Sequence, residues 1–316
     1  MWCADRRRWG PAGAVVAFAF LAKQTGGAVL LPVLWLCGTR RGPLLRLAAG
    51  LLVPVLGSAA VTDPAGFLFW TVTGSGAYAS FTGSELHVLG RGLTNTAILA
   101  AGCAGLLPPV VRVLRIARTG ATDLWLWLAA SADAVLLGFH FFGHYYLQLI
   151  PPLALLATAA LQILPRERLS AAVFTSACCC ALFLAWGLLA PRPGLDHARR
   201  LADAVDRRTG PGERVLIWGM HPETYWLADG TLASRYLTAG LLTNHSGGRD
   251  GPQVGERYAV EGTRPVFRAE LTDRPPALVL DDSRGQPYAP DRRRLLAAGH
   301  EEAGAVDGAV LYVRVP

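Results

Sequence analysis

Long apolar runs dominate the chain up to Pro191, and shorter apolar runs separated by turn residues follow it. A helix needs about 20 mainly apolar residues to cross the hydrocarbon core of a bilayer. The runs at 45–62, 92–114, 146–163 and 169–190 reach or nearly reach that length. Residues 122–138 form a further run, which opens at Asp123 and carries the ionisable Asp133 within it. Two shorter runs lie inside 10–38, interrupted at Lys23-Gln-Thr-Gly-Gly27. That interruption predicts a helical hairpin with its tip at the membrane surface, with a break in one long helix as the alternative. The expected architecture is a polytopic α-helical membrane bundle of about seven spans over residues 1–191.

After Pro191 the pattern changes. Leu195 to Arg208 reads as a helix closed by Thr-Gly-Pro-Gly, and Arg214-Val-Leu-Ile-Trp-Gly219 as a buried strand running into a turn. Pro276-Ala-Leu-Val-Leu-Asp281 repeats the strand pattern. Glu223 to Ala228 and a stretch near Asp291 to Ala298 look helical. Glu301 to Val306 and Ala309 to Val315 form a closing pair of strands around Asp307-Gly308. Residues 192–316 are therefore expected to be a small α/β domain.

Charge gives the topology. Thirteen basic and six acidic side chains precede Arg192, and seventeen of each follow Pro191, so the net +7 belongs to the apolar part. A basic balance placed this way speaks of membrane orientation and not of nucleic acid, because Lys and Arg resist translocation. Arg6 to Arg8, then Arg40, Arg41 and Arg46, then Arg112, Arg115 and Arg118, then Arg166 and Arg168 fall on one side, which is read as cytoplasmic. The other side receives the Lys23 tip, the loop from Asp63 to Arg91, the turn from His140 to Tyr145 and the α/β domain. The chain is thus expected in the plasma (inner) membrane as a multi-pass protein with an extracytoplasmic carboxy-terminal domain. No small-residue cleavage site follows a single short apolar run, so a removable signal peptide is not expected.

All but one of the 30 basic residues are Arg, the exception being Lys23, and Ala, Gly, Leu and Pro are abundant, a composition that points to a GC-rich bacterial genome. The six cysteines lie in or beside apolar segments, with Cys178 to Cys180 as small apolar filler, and offer neither a disulfide framework nor a metal-binding spacing. Asn244-His245-Ser246 matches a glycosylation acceptor that a bacterial source leaves unused.

Several residues are candidates for chemistry. Lys23 stands at an interrupted helix, where an ammonium and free N–H groups can grip a phosphate; the plainer reading is a snorkelling Lys at the end of a span. Asp133, His140 and His144 are spaced to share one helical face. They make either a proton or metal site at the outer surface, or an acid bonded to a neighbouring helix beside two interfacial histidines in an aromatic belt. Asp63 and Glu85 are the acids of the large outer loop, read as potential bases or as solvated charges. In the domain, Tyr225, Trp226, Arg235 and Tyr236 can stack on a sugar or clamp a phosphate, against the alternative of a helix packed on the sheet with Arg235 in a surface pair. No GxSxG, HExxH, P-loop or post-strand GxGxxG is present.

Five segments carry a resemblance. Gly13 to Leu36, with Ala-Phe-Leu-Ala-Lys-Gln at its centre, resembles the "GLAFLTKQ" segment of bacterial membrane glycosyltransferases of the GT-C superfamily. Phe141-Phe-Gly-His-Tyr-Tyr-Leu-Gln-Leu-Ile-Pro-Pro-Leu-Ala-Leu-Leu156 is similar to the "FFxHYxLQLxPPLALL" segment of its protein-mannosyltransferase and aminoarabinose-transferase branch. Arg214 to Gly219, Pro222 to Trp226 and Ala233 to Tyr236 resemble the extracytoplasmic tail of actinobacterial members. The resemblance implies transfer of a sugar from a polyprenyl-phosphate carrier to an outer acceptor, a glycan, lipid or protein. It implies donor-phosphate contact at Lys23, His144 and Tyr145, with His140 standing where relatives carry Arg. It also implies a base in the first outer loop. No acidic pair precedes Lys23, so the amino-terminal helices and the catalytic carboxylate of the family are expected to be missing from this sequence, and the catalytic residue is unknown. No resident metal or other cofactor is implied, with a divalent cation the one cofactor left open. Two further readings stay open: a non-catalytic membrane protein whose tail binds a partner or polymer, and a transporter.

Overall fold

The computed structural model describes residues 1–74, 84–116, 121–160, 164–245, 252–283 and 299–315. The chain divides into two compact units, Met1–Ser75 with Glu85–Ala190 and a second that holds Pro191–Pro316.

The first unit is helical throughout: α1 (Trp9–Ala22), α2 (Leu30–Cys37), α3 (Arg41–Val61), α4 (Glu85–Gly102), α5 (Leu107–Ile116), α6 (Thr122–Leu136), α7 (Ile150–Ala160) and α8 (Arg166–Leu189). Among the described residues, three helices are long and apolar enough to cross a membrane: Arg41–Val61, Thr122–Phe139 and the one opening at Arg166. A fourth joins them if α4 and α5 are one broken span. Their apolar side chains face outward: Leu52, Val53 and Leu56 of α3 and Phe174, Leu182 and Leu188 of α8 are exposed. A water-soluble fold buries such residues, whereas a lipid-facing surface exposes them.

Three expectations change here. Residues 92–114 are not one straight span, because α4 and α5 bend by 88° at the break between them. Pro108 and Pro109 lack the N–H and crowd the carbonyl four residues back, so α4 cannot run on into α5. The run at 146–163 opens in a 3₁₀ helix, Gly143–Leu149, and becomes α-helical only at Ile150, with residues 161–163 outside the description. Asp133, His140 and His144 do not share one helical face. Gly138, Phe139 and Phe141 adopt positive φ of 75°, 52° and 47°, which ends α6 before His140. Asp133 itself is exposed on α6 and is not turned into the packing.

Small residues set the packing of α1 on α3. A Cβ on Gly13 would lie 2.1 Å from the Leu47 carbonyl oxygen, and one on Gly50 would lie 2.0 Å from that of Gly10. The two backbones approach as only glycine allows, the usual means of helix association where water does not drive it. A 3₁₀ helix, Gln24–Val29, joins α1 to α2, and Gly26 presses against the Ala19 carbonyl, where a Cβ would come to 2.4 Å.

Among the described residues, the second unit holds a five-stranded mixed sheet. Its strands are β1 (Arg214–Trp218), β2 (Thr231–Leu232), β3 (Leu278–Asp281), β4 (His300–Val306) and β5 (Ala309–Arg314). The order is β2-β1-β3-β5-β4, with β1 parallel to β2 and β3, and β5 antiparallel to β3 and β4. Leu201, Ala204 and Val205 of α9 (Pro193–Asp206) pack with Val215, Ile217, Leu278, Leu280 and Leu311 on one face. On the other face Trp218 packs against Phe267 of a helix, Thr263–Asp273, with ring centres 5.6 Å apart. Asp307 and Gly308 both take positive φ, 53° and 85°, and close the β4–β5 hairpin. The helix expected near Asp291 to Ala298 lies outside the described residues.

Candidate functional site

In the first unit, packing brings together residues from the start, middle and end of the bundle. Lys23 follows α1, and its ammonium nitrogen sits 3.7 Å from the centre of the Tyr145 ring, a cation over a π-face. His144 meets Tyr145 edge to face at 4.6 Å. His140, Phe142 and His144 stack in a ladder, with centres 5.5 and 5.8 Å apart and planes within 6° and 8° of parallel. Arg91 of α4 lays its guanidinium 4.9 Å above Phe142. Its Nε is buried with no hydrogen-bond partner among the described residues. Asn95, one turn further along α4, donates from Nδ2 to the Phe141 carbonyl at 2.8 Å and pins the turn that carries the ladder. The structure thus gathers Lys23, His144 and Tyr145 and links His140 to them through Phe142. His140 is buried, while His144 is exposed.

The other expected residues stand apart in role. Asp63 caps the short helix Pro64–Leu68, its carboxylate accepting from the N–H groups of Ala65 at 3.2 Å and Gly66 at 2.9 Å. Glu85 is exposed in the first turn of α4, where a negative charge suits the helix dipole. Arg91 was not singled out as a site residue by the sequence patterns, although it is the one arginine before Arg192 that the expected topology leaves outside the cytoplasmic clusters.

In the second unit, the expected aromatic and Arg grouping is mostly core. Tyr225 and Tyr236 are each only 5% exposed, so neither ring presents a face for stacking on a sugar, and Trp226 alone of the aromatics is open. The Tyr225 oxygen accepts the Ile217 N–H of β1 at 2.7 Å, and burial pushes its hydroxyl up to about 12. Arg235 forms a surface pair with Glu270 at 2.5 Å. Burial raises the Glu270 carboxyl, but hydrogen bonds from Arg235 and Ser234 outweigh it and hold the group below the usual range.

A different cluster forms at the carboxyl ends of the parallel strands. His197 of α9, His221 after β1 and Asp282 after β3 bring one ligand atom each to within 4.8 Å of one another. His197 Nε2 lies 2.9 Å from Asp282 Oδ1, and its Nδ1 lies 2.5 Å from Asp307 Oδ2. His221 Nδ1 lies 2.8 Å from Glu223 Oε1. Arg200 donates from Nε and Nη2 to Asp307 Oδ2 at 3.2 and 2.7 Å. The His197 and Arg200 hydrogen bonds hold the Asp307 carboxyl down at about 2. Burial pushes Asp281 up, and the nearby Asp282 charge adds to that push against the hydrogen bonds from Ser283. The sequence patterns single out none of these five ligating or orienting residues as a site. The available signal was positional, since side chains just past the ends of parallel strands are where open α/β sheets bind ligands.

Comparison of the chain with protein-family models, with curated proteins and with solved structures finds no match.

Proposed function

We propose that the chain is a lipid-linked-sugar transferase of the membrane-embedded kind its two motifs resemble, or a portion of one. It passes a sugar from a polyprenyl-phosphate carrier to a glycan, lipid or protein hydroxyl on the outer side of the plasma membrane. The observation that supports this reading is the convergence of Lys23 and Arg91 on the linked rings of Tyr145 and Phe142. When the bond between sugar and phosphate breaks, negative charge builds on the carrier phosphate, and an ammonium and a guanidinium held nearby offset it. The neighbouring aromatic faces suit the sugar ring or the first isoprene of the carrier. In this reading the chain crosses the membrane about seven times, with Trp9–Ala22 and Gln24–Cys37 as a hairpin, and the α/β unit lies outside. The Arg clusters on the loops opposite Lys23 in chain order favour that orientation. Asp63 and Glu85 are the acids this reading offers as base, and Asp63 would have to leave its capping role to serve.

The test is binding and turnover with the protein in nanodiscs. Radiolabelled undecaprenyl phosphate should bind saturably to the wild type and at least tenfold more weakly to Lys23→Met and Arg91→Met. Undecaprenyl-phosphate sugars should then lose label to water or to added acceptor. Equal binding by the variants would sink the site; binding without any transfer would favour the non-catalytic reading, and solute uptake without transfer the transporter.

A further inference from the structure

The His197 cluster lies in the α/β unit and takes no part in the proposed transfer. We infer that His197, His221 and Asp282 bind a divalent transition-metal ion of the zinc class, with Asp307 and Glu223 orienting the two imidazoles.

The ligand set is the first reason. Two imidazoles and one carboxylate suit zinc in preference to magnesium or calcium, which favour oxygen. The second is the arrangement around the histidines. A metal-ligating His characteristically donates its other N–H to a carboxylate or carbonyl, which sets the tautomer and aims the ring. Here both histidines meet that condition through Nδ1, His197 with Asp307 at 2.5 Å and His221 with Glu223 at 2.8 Å. Nε2 of each is the nitrogen left for an ion.

Geometry and charge agree with this. Bonds of about 2.0–2.1 Å in a tetrahedral site put neighbouring ligand atoms about 3.3 Å apart. His197 Nε2 and Asp282 Oδ1, 2.9 Å apart, need to part by a few tenths of an ångström. The ligand atoms of the trio all lie within 4.8 Å of one another, so His221 has to close by about 1.5 Å at most. His221 stands in the connection between β1 and the helix Glu223–Leu227, outside regular structure, with its side chain 34% exposed, and has room to do so. Gly219 keeps this connection close to the carboxylate, for a Cβ there would lie 3.1 Å from that of Asp282. Asp282, Asp307 and Glu223 gather at the site, and among the described residues the Arg200 guanidinium is bound to Asp307. A dication relieves that excess of negative charge. Three protein ligands leave a fourth position for water or the oxygen of a ligand, as in catalytic zinc sites.

The experiment uses the full chain in detergent, with its six cysteines alkylated so that thiols cannot compete for the ion. After chelator treatment, titration with ZnCl2 by calorimetry should show one saturable site per chain. CoCl2 should give the visible absorption of a four-coordinate site, abolished by added ZnCl2. His221→Ala and Asp282→Ala should each weaken zinc binding at least about 100-fold, and Glu223→Gln by about 10- to 100-fold, the range typical of lost orienting partners. Hydrogen exchange at the β1 and β3 amides reports whether the α/β unit of each variant is folded. Where Asp282→Ala is not, His221→Ala and Glu223→Gln decide. No saturable uptake of zinc, or unchanged affinity in folded His221→Ala, overturns the inference and leaves His197 as a histidine clamped between carboxylates. Equal affinity for MgCl2 and ZnCl2 overturns the assignment to the zinc class.

Discussion

Lys23 and Tyr145 meet in a cation–π contact, with the ammonium nitrogen 3.7 Å from the ring centre. The contact depends on the ring and not on the phenol oxygen. Tyr145→Phe is therefore expected to keep Lys23 in place and to change undecaprenyl-phosphate affinity by less than about threefold, whereas Tyr145→Leu gives up about 0.5–1 kcal/mol of that placement. Lys23→Met should cost more, about 1.5–3 kcal/mol, because it removes a charged donor to the phosphate. Equilibrium binding to nanodiscs measures all three, and the ordering is the point to check.

The close approach of α1 and α3 makes a second prediction. Gly50→Val forces a side chain against the Gly10 carbonyl, where even a Cβ would sit 2.0 Å away. The helices must separate, at a cost of about 3 kcal/mol or more. Gly57→Ala on the same helix meets nothing within 4 Å and should be neutral or stabilising by up to about 1 kcal/mol. Thermal melts in detergent compare the two, and an equal effect would disprove the glycine seam.

Tyr225→Phe leaves the Ile217 N–H of β1 without its acceptor. An orphaned buried donor costs about 1–3 kcal/mol. Hydrogen exchange at the β1 amides should accelerate by about tenfold or more if opening of the domain governs it. Unchanged exchange would show that the hydrogen bond contributes nothing to the domain's stability.

Glu270 predicts a pH dependence. Its carboxyl is held below the ordinary value of 4.5 by Arg235 and Ser234 against the opposing effect of burial. A depressed acid contributes stability that is fully present above its unfolded value and is lost as pH falls through the lower folded value. Glu270→Gln should therefore weaken the domain at neutral pH by about 1 kcal/mol, with Arg235 itself largely exposed, and should flatten its acid unfolding below pH 4.5. Acid titration followed by near-ultraviolet dichroism reads the difference.

The strands show how far local pattern reaches. Arg214 to Trp218 and Leu278 to Asp281 were legible because parallel strands covered on both faces read as continuous apolar runs. The hairpin at Asp307-Gly308 was legible because few residue pairs accept two positive φ values. The bend between α4 and α5 was signalled by Pro108 and Pro109, but hydropathy averaged over a window hides it. Local pattern leaves Tyr225 and Tyr236 open between a ligand-stacking group and a helix packed on the sheet with Arg235 in a surface pair, because an aromatic beside an Arg looks the same in sequence whether its ring faces solvent or core; the structure shows the second.

The sequence by itself determined the apolarity of the membrane-type helices, the change of pattern at Pro191 and the strands of the α/β part, since each follows from residues adjacent along the chain. Only the tertiary structure decided that Lys23 lies on Tyr145, that Arg91 covers Phe142 and that His197, His221, Asp282 and Asp307 converge. Those meetings depend on helix packing through Gly13 and Gly50 and on the strand order β2-β1-β3-β5-β4, which bring distant segments together by contacts that no local pattern encodes.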